Sequence, residues 1–325
     1  MTPSQSPSSR RSPRITAWLA AGALVVGSAL ALLVAAPPQD VHADPAAPTS
    51  SSRPAKSAEI YTAWPFDARE AAQRRDATAA ALGIPKDLSV DLGAKVALKF
   101  LLIPAGKFHM GSPKDQKDHM DTESPDHDVT ITRPFYMAQF KVTQAQYQQV
   151  MGKNPAKFVG ENFPVDSVTY DLAAEFCKKA AEKTSRKIHL PTEAQWEYAC
   201  RAGTSTRYNF GDDETRLPEY CWFHDNNAGA GSGHPVGQKK PNAWGLFDMH
   251  GMLWEWCSDF WAPNYNDAKD TDPTGPAEAK THTARGATWG SRTYMLRSAV
   301  RMTPTGEASP ELWNRFGFRV MLDVQ

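Results

Sequence analysis

Residues 242–261 read NAWGLFDMHGMLWEWCSDFW, and what this stretch demands decides the fold. It carries four tryptophans, two glycines and the acids Asp248, Glu255 and Asp259 in an order that fits neither helical nor strand periodicity. Trp254, Trp256, Phe260 and Trp261 call for burial, and the acids call for partners. A backbone with both demands is expected to be irregular and pinned around something, with a bound cation the simplest pin. Asp248 and Glu255 stand seven residues apart, and Gly251 lets the chain turn back between them. The plainer alternative is that the two acids cap turns and pair with nearby Lys or Arg.

Working outward, LIPAGKFHMGSP at 102–113 reads as a strand, a turn and a strand, and RPFYMAQFKVTQAQYQQVM at 133–151 as a strand followed by a helix. LPTEAQWEYACRAG at 190–203 opens a helix with a capping box, ARGATWGS at 284–291 is a turn-rich block, and NRFGFRV at 314–320 closes the chain. Taken in this order, the blocks resemble those of the formylglycine-generating enzyme family, the sulfatase-modifying-factor domain. The likeness runs from about residue 98 to the C-terminus. It implies an α+β fold of the formylglycine-generating-enzyme type, related to the C-type lectin fold, with few short helices, many short strands and long ordered loops.

The same resemblance implies particular residues. Calcium would be held by the side chains of Asp248 and Glu255 and the carbonyls of Gly251 and Leu253, as a structural ion. Enzymes of the family bind copper and activate oxygen through two cysteines just after the block that matches ARGATWGS. Here the first position falls on or beside Ser291 and the second near Met295 or Leu296, and no cysteine follows Cys257. Soft thiolates select Cu(I), which a serine hydroxyl does not replace. Copper chemistry is therefore expected to be absent, and no catalytic residue is assigned. Some relatives use iron, for which the local candidates are His119, Asp121 and His127 in one loop, and His224, Asp225, His234 and His250 around another. No pair of these has helical i, i+4 spacing. Cys177 and Cys200 match disulfide positions of the family, but their partner positions hold Ser298 or Ala299 and Val320. Four buried free thiols are expected, with a Cys221–Cys257 bridge as the alternative.

A ligand groove is expected between the 224–234 loop, the Trp254 region and the 286–297 segment, lined by Trp254, Trp289, Arg292 and Arg297. Six arginines crowd residues 285–325. Arg285, Arg301 and Arg319 are expected to brace loops, as a five-donor side chain does well, while Arg292 and Arg297 are left open between bracing and ligand binding.

The amino-terminal part reads differently. Arg10, Arg11 and Arg14 precede 22 uncharged residues, Ile15 to Ala36. Such a segment reaches roughly 33 Å, enough to cross a bilayer core. Residues 1–43 are a signal peptide or an N-terminal membrane anchor, and Val41-His42-Ala43 resembles a cleavage site. Residues 44–65 form a Pro/Ser/Ala-rich linker, 66–97 a helix and lead-in segment, and 98–325 the domain itself. Loss of residues 1–43 removes three arginines and Asp40, leaving 33 basic against 35 acidic residues. That balance excludes a nucleic-acid partner on electrostatic grounds.

The expected protein is exported, periplasmic or at the cell envelope: a calcium-stabilised binding or accessory module that takes a peptide, protein or small ligand. It touches the membrane through the N-terminal segment if that segment is uncleaved. A divergent metal-dependent oxidoreductase, with iron as its metal, is the alternative.

Overall fold

Polar caps set the helices of this computed structural model, which describes residues 58–231, 233–304 and 313–324. The leader, and the linker up to residue 57, lie outside the described residues. Helix α1 (Ala68–Leu82) begins where the Asp67 side chain accepts the Glu70 N–H, and it ends at Gly83 in the left-handed region. In α2 (Gln144–Met151), Thr143 and Gln146 each satisfy the other's backbone N–H, and Thr192 and Gln195 do the same for α4 (Glu193–Arg201). Between them α3 (Tyr170–Thr184) buries a stripe of Ala173, Phe176, Cys177 and Ala180. A single turn, α5 (Leu217–Tyr220), follows. Among the described residues no helix is long and apolar enough to cross a membrane.

The strands are β1 (Asp87–Gly93), β2 (Val96–Ile103), β3 (Gly106–Met110), β4 (His127–Ile131), β5 (Phe135–Ala138) and β6 (Ile188–His189). After a long stretch of turns come β7 (Trp254–Phe260), β8 (His282–Arg285), β9 (Arg301–Met302), β10 (Phe316–Gly317) and β11 (Met321–Asp323). A five-stranded antiparallel sheet runs β1-β2-β5-β11-β6, so the last strand slots between two earlier ones and ties the C-terminal part into the middle of the fold. Alternation along β2 and β5 sends Leu98, Phe100, Leu102, Tyr136 and Ala138 to one core, and Leu101, Ile103, Phe135 and Met137 to another. Both faces of the sheet are therefore covered.

A second sheet, β10-β7-β8-β9, carries the site. Here β7 pairs in parallel with β10, Glu255 opposite Gly317, and antiparallel with β8, Glu255 opposite Arg285. The expectation of an irregular backbone holds for 242–253 but not beyond. Trp254 to Phe260 is a strand, whose pattern does not alternate because both of its faces are buried. Trp254 and Trp256 join the first core and Cys257 the second, while the Glu255 carboxylate sits wholly inside.

Candidate functional site

The two residues singled out from sequence do meet at one positive centre, Lys141, Glu255 through its carboxylate and Asp248 through its main-chain carbonyl. Its ammonium group donates to the Asp248 carbonyl oxygen at 2.9 Å and to Glu255 Oε1. Arg319 closes the other side of Glu255, Nε to Oε2 at 2.6 Å and Nη2 to Oε1 at 3.1 Å, and it also holds the carbonyls of Ala138 and Phe247. Burial pushes the Glu255 carboxyl up, but Arg319 and Lys141 together outweigh it and hold the group below its ordinary value. Asp248, at φ 57°, gives Oδ2 to the Gly237 N–H at 2.8 Å, while its Oδ1 is buried without a hydrogen-bond partner. Burial raises the Asp248 carboxyl above its usual range.

This arrangement was tested against the expected calcium ligands Asp248, Gly251, Leu253 and Glu255. Both Glu255 oxygens are bound to cationic side chains, and the Gly251 carbonyl accepts the Leu253 N–H at 3.0 Å. Both Glu255 oxygens and the Gly251 carbonyl are thus already taken, so the residues present do not fit a divalent ion there. Among the described residues no group of three or more His, Cys, Asp or Glu is placed to hold a metal. The histidines weighed for iron have other partners. His119 lies between the Ser112 and Ser124 hydroxyls, and His127 contacts the Pro125 carbonyl. Asp121 sits in a short 3-10 turn whose carbonyl accepts the Ser124 N–H. His224 pairs with Asp225 at the surface, and His234 stacks on Trp222 with ring centroids 3.7 Å apart. His250 is wholly buried between the Leu296 carbonyl and the Asn209 N–H, and burial lowers its pKa to about 4.

Around Ser291 the residues expected to line a groove come together only in part. The Ser291 hydroxyl accepts the Thr288 N–H at 3.1 Å and its carbonyl accepts the His224 N–H at 3.2 Å, so the 224–234 loop lies against the 286–297 segment. Phe158 braces that loop: a Cβ on Gly231 would overlap its ring, and its ring also meets Trp289 edge-on. Trp289 is half-buried beneath the Arg315 guanidinium, with its indole N–H unpartnered. Arg292 is exposed and reaches Asp225 at 3.2 Å. Two of the four expected groove residues are elsewhere. Trp254 is a core residue, drawn inward because β7 has two buried faces. Arg297 is wholly buried, both of its terminal nitrogens 2.7 Å from the Glu123 carboxylate.

Arg297 thus joins the bracing set. Arg285 pairs with Glu197 and caps three carbonyls between Ser298 and Val300, Arg301 forks onto Glu193, and Arg319 forks onto Glu255. Glu123, Glu193, Glu197 and Glu255 are each met by a buried guanidinium, which is how such charges are tolerated away from water. The four cysteines are free and buried. Cys200 lies against Ser298, and burial pushes its thiol up to about 12.

Sequence reasoning missed Lys141. The available signal was a lysine set between the apolar residues Phe140 and Val142.

Residues 93–324 match the sulfatase-modifying factor enzyme 1-like domain. The formylglycine-generating enzyme of Streptomyces coelicolor is 31% identical over 220 residues, 63% of this chain and 67% of that protein. The mouse formylglycine-generating enzyme is 26% identical over 290 residues, 69% of this chain and 75% of its own. Chaperone protein LppX of Paenibacillus barcinonensis is 30% identical over 181 residues, 41% of this chain and 64% of that protein. Among solved structures, PvdO from Pseudomonas aeruginosa superposes with a TM-score of 0.65 at 26% identity, covering 74% of this chain and 99% of that one. The fold is that of the formylglycine-generating enzymes, and the chain belongs to the sulfatase-modifying factor enzyme 1-like family.

Proposed function

We propose that this chain is an exported binding or accessory module of the cell envelope, not an oxidase, with its ligand held beside Ser291. The observation that carries this reading is the Ser291 hydroxyl, tied to the Thr288 N–H where the family resemblance calls for a copper-binding thiol. A hydroxyl stays protonated at neutral pH and is a poor ligand for soft Cu(I). All four thiols of the chain precede residue 258, and all are buried. Burial pushes the thiols of Cys177, Cys200, Cys221 and Cys257 well up, away from the thiolate form.

The wall beside Ser291 still has features suited to binding. The half-buried Trp289 packs against Arg315 and Phe158 with its indole N–H buried, and Arg292 offers an exposed cation. That cation suits a peptide, a protein segment or a small ligand that carries a negative charge. A relative named as a chaperone protein supports an accessory role. Export rests on the apolar run from Ile15 to Ala36 behind three arginines.

The test is chemical. A sulfatase-type cysteine peptide is incubated with purified protein, copper and oxygen, and its mass is followed. The mass is expected to stay that of the cysteine peptide. Copper-dependent conversion to the aldehyde would return the chain to the enzymes.

A further inference from the structure

We propose that Lys141 supplies from within the chain the positive charge that a divalent ion would bring to Asp248 and Glu255, so that this centre is held together without a metal. The inference is independent of what the groove at Ser291 binds.

The geometry points to it directly. The Lys141 ammonium joins a carboxylate oxygen of Glu255 to the backbone carbonyl of Asp248, a side-chain oxygen and a main-chain oxygen from the two ends of one irregular turn. Of the oxygens expected to hold an ion, the ammonium takes one from Glu255, and with its remaining donors it ties in the neighbouring Asp248 carbonyl. Charge leads to the same conclusion. Lys141 and Arg319 face Asp248 and Glu255, and none of the four is more than 2% exposed. Two cations against two acids leave no net charge for a dication to neutralise, and uncompensated buried charge is costly. Crowding adds to this, because Glu255 already receives Lys141 on one oxygen and Arg319 on both.

Removal of the ammonium group changes each of these terms. One cation then faces two acids. An oxygen of Glu255 loses its lysine, the Asp248 carbonyl is freed, and Asp248 Oδ1 is already without a partner. Those oxygens, with water in the space of the lost side chain, make a cation site of a kind wild type lacks.

Thermal unfolding in calcium and in a calcium chelator tests this. The wild-type melting temperature is expected to be the same in both. Lys141→Ala is expected to melt lower than wild type and to gain several degrees from millimolar calcium. A wild-type protein that loses several degrees on chelation, with the loss abolished in Glu255→Gln, would overturn the proposal. So would a folded Lys141→Ala protein indifferent to calcium. Should that variant fail to fold, the calcium content of wild type purified from calcium-containing medium decides. Far less than one ion per chain supports the proposal, and one ion per chain overturns it.

Discussion

Arg297 and Glu123 stand 174 residues apart in the chain and meet as a two-pronged ion pair with both side chains fully buried. The Ser112 hydroxyl adds a third donor to Glu123. The pair fastens the end of the 286–297 segment to the loop before β4. Loss of one partner leaves the other buried and charged, which typically costs about 3–5 kcal/mol. Arg297→Met is expected to fall in that range by chemical denaturation, with a correspondingly lower urea midpoint. Pairing it with Glu123→Leu is expected to recover much of the loss, because two apolar side chains need no counter-charge.

Arg292 is expected to behave in the opposite way. Its pair with Asp225 leaves both side chains more than half exposed, and such pairs contribute about 0–1 kcal/mol. Arg292→Ala is expected to leave the denaturation midpoint within error of wild type. Read from sequence alone, the two arginines looked alike.

Gly251 holds the turn between Asp248 and Glu255. Its φ is +90°, and a Cβ there would lie 2.3 Å from the Trp222 carbonyl oxygen, which already accepts the Met252 N–H. Both the backbone conformation and the close approach demand glycine. Gly251→Ala is expected to lower soluble yield and melting temperature sharply, by more than the roughly 1 kcal/mol of an ordinary glycine-to-alanine strain.

Helix starts, family blocks and the bracing role of three arginines were legible in the sequence because each depends on neighbours within a few residues or on a repeated motif. Asp67, Thr143, Thr169 and Thr192 cap their helices by reaching three residues ahead. Strand β1 was equally local, its Leu88, Val90 and Leu92 alternating with polar residues, and was passed over as lead-in. Other features depend on partners brought together only by the fold. Lys141 is 114 residues from Glu255, and nothing within its own segment reveals that a carboxylate will cover it. The burial of Trp254 follows from both faces of β7 being covered by distant parts of the fold, which sequence spacing does not encode.

Asp259 gives the chain a predictable pH response. Its carboxyl faces a cavity of about 350 Å³ shared with Tyr265 and Arg301 and accepts the Glu193 N–H at 2.9 Å. Burial, aided by the Glu193 charge, raises its pKa from 3.8 to about 7. Between those values the folded chain keeps a proton that the unfolded chain has released. The contribution of Asp259 to stability is therefore full below pH 4, falls as pH rises through the window and is gone above about pH 7. His250 works in the opposite sense, since its lowered pKa costs stability as pH falls below 6.5. Asp259→Asn removes only the first effect. The melting temperature of the variant minus that of wild type is expected to rise from pH 5 to about pH 7 and to level off by pH 8. A difference that stays level across this range would mean that Asp259 is ionised throughout.

Ser291→Cys tests whether one restored thiol brings back oxidase chemistry. The side chain is 8% exposed and its hydroxyl accepts a single backbone N–H, so the exchange is expected to cost about 1 kcal/mol and leave the fold intact. The second thiol position falls near Met295 or Leu296. Thr293–Leu296 forms a 3-10 turn, with the Leu296 side chain buried and the Leu296 carbonyl bound to His250. A lone thiolate at 291 would therefore have no sulfur partner among these residues for a two-thiolate Cu(I) site. The variant is expected to leave the mass of a cysteine peptide unchanged in copper and air. Its copper affinity, measured by competition with a chromophoric chelator, is expected to remain far below that of a paired-thiolate site. Tight copper binding with aldehyde formation by the single variant would show that Ser291 alone separates this chain from the oxidases.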